Sequence, residues 1–193
     1  MRALSRSFTL VLVAIAFWSV SACTTTPEPA LEVKEDAAFA RLKDPTVVKV
    51  MPVILPKTIE GSKDPGDEDK WRLEWPSRGA NIVSDAIVDG SSGRVTSRPV
   101  KDKPEEGWYV EVTITQLDVG DAGKRTSSAF SSDNKDGWSR TVAECRIIDA
   151  KTGEVAARVT IEHRTGSVVQ WSVPFENDMD EIGERLGAWL DSK

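Results

Sequence analysis

Two runs of strict alternation, Ser139–Ile148 and Glu154–Arg164, are joined by five residues, Asp149-Ala150-Lys151-Thr152-Gly153. Alternation at a period of two describes a strand with one face buried and one face wet. A five-residue connection ending in glycine suits a hairpin with a left-handed bulge residue. Ala143, Cys145 and Ile147 fall on one face of the first run, and Val155, Ala157, Val159 and Ile161 on one face of the second. Trp108–Leu117 alternates in the same way, with Val110, Val112 and Ile114 to one side and Glu111, Thr113 and Thr115 to the other. Three half-apolar strands need a cover, and the sequence supplies it. Trp71, Trp75, Ile82, Val83, Ala86 and Ile87 recur at helical spacing, as do Phe175, Met179, Ile182, Leu186, Trp189 and Leu190.

The remaining segments complete an α+β layer. Thr46–Leu55 is rich in β-branched residues and apolar on both faces, the pattern of a central strand that ends or bulges at Pro52. Pro56–Asp69 reads as a polar loop, Pro76 as a first-turn proline and Gly90 as a helix stop. Gly93–Val100 reads as a short edge strand, and Gly120–Gly137 as a long loop around Phe130. The expected architecture is a mixed or antiparallel sheet of four to five strands with two helices packed on one face.

The amino terminus says where such a domain resides. Met1–Ser7 carries Arg2 and Arg6 and no acid, and Phe8–Val20 is a 13-residue apolar run broken only by Thr9 and Ser19. That is the layout of a secretory signal peptide, and it is shorter than the roughly 20 apolar residues of a spanning helix. The tetrad Val20-Ser21-Ala22-Cys23 resembles a bacterial lipobox. The resemblance implies cleavage between Ala22 and Cys23, a diacylglyceryl group on the Cys23 sulfur and a further acyl chain on its amino group. Thr24 after the cysteine, in place of Asp, resembles the pattern sent to the outer membrane, with the domain facing the periplasm. The expected organisation is a signal peptide at 1–22, a lipidated tether rich in Thr and Pro at 23–43, and one domain at 44–193.

Charge and composition then narrow the function. The chain has 193 residues with 25 basic and 31 acidic side chains, a net charge of −6. Loss of residues 1–22 removes Arg2 and Arg6, leaving 23 basic against 31 acidic, or −8 over 171 residues. Such a balance argues against nucleic acid, which needs a basic stripe to displace counterions. It is also repelled by anionic lipid, so the acyl chains are expected to hold a domain that stands off the surface. With Cys23 acylated, Cys145 is the only remaining thiol and no internal disulfide can form. Two cysteines and one histidine, His163, leave little material for a zinc site.

Chemistry-bearing residues are few. His163 sits at the polar end of a strand, and no nucleophile-elbow motif accompanies it. Cys145 shares a strand face with Ala143 and Ile147 and reads as a small hydrophobe. Asp178, Asp180 and Glu181 complement a helix amino terminus, with a hydrolase carboxylate pair or a cation site as rival readings. Asp64–Asp69 (DPGDED) lacks the ligand spacing of a calcium loop. Gly90-Ser91-Ser92-Gly93-Arg94 follows a helix rather than opening one, so it is no phosphate cradle. Trp108, Trp138 and Trp171 stand at strand or loop ends and, with Phe130, form a candidate contact surface.

The stretch Trp138–Gly166, with its D-x-x-T-G-E-V hairpin and a closing helix, resembles a recurring pattern in uncharacterised bacterial outer-membrane lipoproteins. The layout is more distantly similar to the curli-secretion lipoprotein and to auxiliary lipoproteins of ABC transport systems. That resemblance implies location and fold, no catalytic residues and no cofactor. The expected function is a non-catalytic accessory or binding module in an envelope assembly or transport complex, with an envelope protein as partner. A periplasmic hydrolase and a small-molecule or lipid carrier are the alternatives.

Overall fold

The computed structural model describes residues 31–35, 47–61, 65–121, 124, 137–165 and 174–192. Eight elements follow in order: β1 (Leu31–Glu35), β2 (Val47–Val50), α1 (Pro65–Gly90), β3 (Thr96–Pro99), β4 (Trp108–Asp118), β5 (Arg140–Asp149), β6 (Val155–His163) and α2 (Pro174–Asp191). The strands form one sheet in the order β1-β6-β5-β4-β2-β3. The β4-β5-β6-β1 part is antiparallel, and β2 runs parallel to both β3 and β4. The fold is therefore α+β with a mixed sheet, but the sheet has six strands rather than four to five.

The sixth strand is β1, in a stretch the sequence reads as spacer. Leu31 pairs with Ile161 and Val33 with Val159, both partners wholly buried. Only two apolar side chains alternate in LEVKE, too few to stand out in the sequence, and the exposed edge of β6 completes the pattern by tertiary pairing.

β2 stops at Val50, before Pro52, because proline has no N–H for the ladder. Ile54 keeps contact with β4 through a single bridge to Thr113. Helix α1 begins at Pro65, a turn and a half earlier than its apolar stripe, so part of the supposed loop at 56–69 is helical. Pro76 is consequently inside the helix, where it removes one hydrogen bond and frees a carbonyl. The freed group is the Arg72 carbonyl four residues back, and the Pro76 carbonyl itself accepts the Val53 N–H at 2.9 Å, joining the helix to the segment after β2. Arg72, one turn earlier, donates to the Pro56 carbonyl at 2.9 Å and to the Lys57 carbonyl at 2.5 Å, clamping the β2–α1 connection.

Gly90 is the last residue of α1 rather than a stop beyond it. Ser92 (φ 53°) takes the left-handed position, with Ser92 N–H donating to Asp89 and Gly93 N–H to the Val88 carbonyl, a two-bond helix cap. Gly90, Gly183 and Gly187 instead allow the two helices to cross at backbone contact. A Cβ on Gly90 would collide with the Glu184 carbonyl, one on Gly187 with the Ile87 carbonyl, and one on Gly183 would sit 2.5 Å from Ala86 Cβ.

One core joins the helices to the inner face of the sheet. Val110, Val112 and Ile114 of β4, Ala143, Cys145 and Ile147 of β5, and Ala157, Val159 and Ile161 of β6 meet Val83, Ile87, Phe175, Met179, Ile182, Leu186 and Leu190. A register shift at Ile147/Ile148 places Val155 apart from this set, beside Tyr109 and Ile148 in a small second cluster.

Candidate functional site

The inner faces of β5 and β6 end in polar residues. Ser139 and Thr141 continue the apolar row of β5, and His163 continues that of β6, with Thr165 just beyond. Helix α2 places Asp178 opposite them, on the stripe that also carries Phe175, Met179 and Ile182. Asp178 has no solvent exposure at all. Its Oδ2 accepts hydrogen bonds from Thr141 Oγ1 at 2.7 Å and Ser139 Oγ at 3.2 Å. Its Oδ1 accepts from Thr165 Oγ1 at 2.7 Å and faces His163 Nδ1 at 2.9 Å. Four partners match the roughly four acceptor sites of a carboxylate, so the cost of burying it is offset within the protein.

This is a hub, and its connectivity decides its chemistry. Nucleophilic catalysis needs a hydroxyl bonded to a histidine nitrogen, with the carboxylate behind the ring. Here the carboxylate lies between the ring and the hydroxyls of Ser139 and Thr141, and Thr165 Oγ1 approaches, at 3.4 Å, the same Nδ1 that faces the carboxylate. Ser139 Oγ also accepts the Thr165 N–H, while Ser139 N–H donates to the Thr165 carbonyl. The net effect is to stitch the start of β5 to the end of β6 and both to α2. The His163 ring, at the polar end of β6, is mostly buried.

The other acidic residues of α2 behave differently. Asp180 is exposed, Glu181 pairs with Arg185 one turn on at 2.6 Å, and burial pushes the Glu184 carboxyl above its ordinary range, with Asp180, Glu181 and Asp89 adding to it. The helix begins at Pro174 with Glu176 as the acid of its first turn, so Asp178, Asp180 and Glu181 lie beyond the turn where helix-end complementarity acts, and that reading is corrected. Among the described residues, no group of three or more His, Cys, Asp or Glu is placed to hold a metal. Cys145 is wholly buried, and desolvation pushes its thiol up to about 12, keeping it neutral.

A shallow groove of 340 Å³ opens between the helices, lined by Arg78, Ile82, Glu176, Asn177 and Asp180. Arg78 forms an ion pair with Glu176 and lies 4.9 Å over the Trp75 ring. Behind it Trp71, Trp75 and Phe175 stack with centroids 4.6–5.3 Å apart, so these tryptophans are packing residues.

Of the proposed contact aromatics, Trp108 and Trp138 are not brought together. Trp108 opens β4 and packs half-buried against the core, whereas Trp138 precedes β5, whose Arg140 pairs with Asp118 at the other end of β4. The length of β4 separates them by about 30 Å. Phe130, Trp171, Ala22 and Cys23 lie outside the described residues.

No protein-family pattern matches this chain, and no curated protein matches it in sequence. Solved structures are similar to it. The PelC dodecamer from Paraburkholderia phytofirmans is 11% identical, with 86% of this chain aligned to 99% of that one at a TM-score of 0.51. Lipoprotein GNA1162 from Neisseria meningitidis is 13% identical over 77% of this chain and 100% of its own, at a TM-score of 0.37. Protein XCC0632 from Xanthomonas campestris, of domain family DUF330, is 13% identical over 84% and 92%, at a TM-score of 0.40. At such identity, the PelC likeness establishes a shared fold.

Proposed function

We propose that the protein is a lipid-anchored, non-catalytic module of the bacterial envelope, held by acyl chains on Cys23 at the periplasmic face of the outer membrane, where it binds another envelope component. The observation that carries the non-catalytic reading is the order of atoms at Asp178. The serine, the histidine and the carboxylate of a hydrolase are all within reach of one another, yet the carboxylate is spent on Ser139, Thr141, Thr165 and His163 together. Anchoring rests on the lipobox-like tetrad Val20-Ser21-Ala22-Cys23, and several acyl chains on one residue hold a protein stably at a bilayer. Among the described residues no helix is long and apolar enough to cross a membrane. The same fold builds a dodecamer in PelC, which supports an assembly role over a carrier role.

Cross-linking in intact cells, followed by purification through a carboxy-terminal tag, tests this reading alongside a fluorophosphonate serine probe. The expected result is one envelope component, or a second copy of the chain, recovered in stoichiometric amount with no probe labelling. Labelling of Ser139 together with turnover of an ester substrate would replace the module with a hydrolase.

A further inference from the structure

The outer face of the sheet segregates charge in a way the net charge conceals. Register places Lys34 of β1 opposite Arg158 of β6, Arg158 opposite Arg146 of β5, and Arg146 opposite Glu111 of β4. One step along, Lys49 of β2 stands opposite Arg98 of β3. Lys34, Lys49, Glu111, Arg146 and Arg158 each neighbour a core or core-packed residue along their strand, and Arg98 is in register with Lys49, so the six share the face turned away from the helices. Five cations and one acid thus line a band across all six strands, about 24 Å wide at the usual strand spacing. Lys34, Arg158 and Arg98 are exposed.

Like charges directly opposite one another weaken a sheet. Here that arrangement occurs three times, at Lys34/Arg158, Arg158/Arg146 and Lys49/Arg98. Local partners offset it in part: Lys34 meets Glu32, Arg146 meets Glu111, and Lys49 Nζ donates to the Glu106 carbonyl. The neighbouring row holds the acids Glu32 and Glu144, and an excess of positive charge remains in the band itself.

We propose that this band binds the phosphates of anionic lipid headgroups and lays the sheet against the bilayer that holds the acyl chains. The proposal rests on acylation of Cys23 and reverses the expectation that an acidic domain stands off the surface. Proximity selects the occupant. Cys23 is eight residues from Leu31, a reach of at most about 28 Å, and β1 carries the first cation of the band. A tether that short holds the band at high effective concentration over its own membrane. Each cation near an anionic surface contributes roughly fivefold in affinity.

The test uses the acylated full-length product reconstituted in vesicles of phosphatidylcholine, alone or with phosphatidylglycerol. A thiol is placed on the outer face with Thr160→Cys, or on the helix side with Ser77→Cys, and labelled with a polymer-linked maleimide. Buried Cys145 stays silent in both. Flotation with neutral vesicles reads the anchor alone, so its absence would overturn the acylation reading and with it this proposal. With the anchor in place, phosphatidylglycerol is expected to slow labelling at residue 160 on the order of tenfold while residue 77 is unchanged. The slowing should disappear in high salt and in the Lys34→Glu/Arg98→Glu/Arg158→Glu variant, whose substitutions are all at exposed positions. Equal labelling in both lipids would overturn the proposal. So would protection that follows protein density, which would mean a second copy, or protection that appears only with added dextran sulfate, which would mean a soluble polyanion.

Discussion

Thr141 Oγ1 lies 2.7 Å from Asp178 Oδ2, and neither residue has any contact with solvent. A strand hydroxyl and a helix carboxylate thus replace water for each other, at the point where α2 meets the sheet. Removing the carboxylate strands three hydroxyls and a ring nitrogen, whereas removing one hydroxyl leaves three of the four bonds. Asp178→Ala is therefore expected to cost about 3 kcal/mol and Thr141→Val about 1–2 kcal/mol in chemical denaturation. Equal losses would mean that the hub is not centred on Asp178.

The glycines at the helix crossing reverse an ordinary rule. Replacing a mid-helix glycine by alanine normally gains about 0.5–1 kcal/mol. At Gly187 the new methyl meets the Ile87 carbonyl, and at Gly183 it meets Ala86 Cβ and the Val83 carbonyl at 2.7 Å. Both substitutions are expected to destabilise by about 1–3 kcal/mol or more, read as a lower thermal midpoint. At Gly79 the nearest neighbour is a side-chain methyl of Val53 at 3.0 Å, which can give way, so Gly79→Ala should cost less than either.

Cys145 should be invisible to thiol reagents. With its thiol pushed up to about 12 by burial, the thiolate is scarce at pH 8 and no path leads to the sulfur. Ellman's reagent is expected to leave the folded chain, acylated at Cys23, unmodified and to titrate Cys145 on addition of denaturant. Rapid reaction in the folded state would mean that β5 opens locally.

On the outer face, the Arg140 guanidinium donates to Glu162 at 2.8 Å and 3.1 Å, and Arg164 adds a further bond at 3.1 Å. The hydrogen bond from Arg140 comes first among the causes that hold the Glu162 carboxyl below its ordinary range. Its contribution is present above the unfolded pKa and is lost as pH falls through the lowered folded value. The pair is partly exposed, so the effect is under about 1 kcal/mol. Stability of Glu162→Gln is expected to fall less steeply than that of the parent below pH 4.5, with the two differing most near neutrality.

Much of the fold was legible because alternation and helical spacing are local signals. β4, β5, β6 and α2 lie where Val110/Val112/Ile114, the Asp149–Gly153 turn and Phe175/Met179/Ile182 place them. What escaped depends on distant partners. β1 is a strand because β6 has an edge to offer, and the part of α1 ahead of its apolar stripe is tied back to the chain by Arg72, which donates to the Pro56 and Lys57 carbonyls. The Asp178 hub had a readable signal: a charged residue on an apolar helical stripe, with Ser139 and Thr141 on the apolar face of a strand. Each looks ordinary alone, and only the packing of α2 on β5 and β6 joins them. The basic band was hidden because net charge averages over faces that register keeps apart.

The most direct test of the anchored-module account is the intact mass of the protein purified from bacterial membranes, with sequencing of its first peptide. The account predicts a chain that begins at Cys23, with the mass of a diacylglyceryl group and one further acyl chain on that residue. A chain that retains Met1, or that begins elsewhere without lipid, would contradict it.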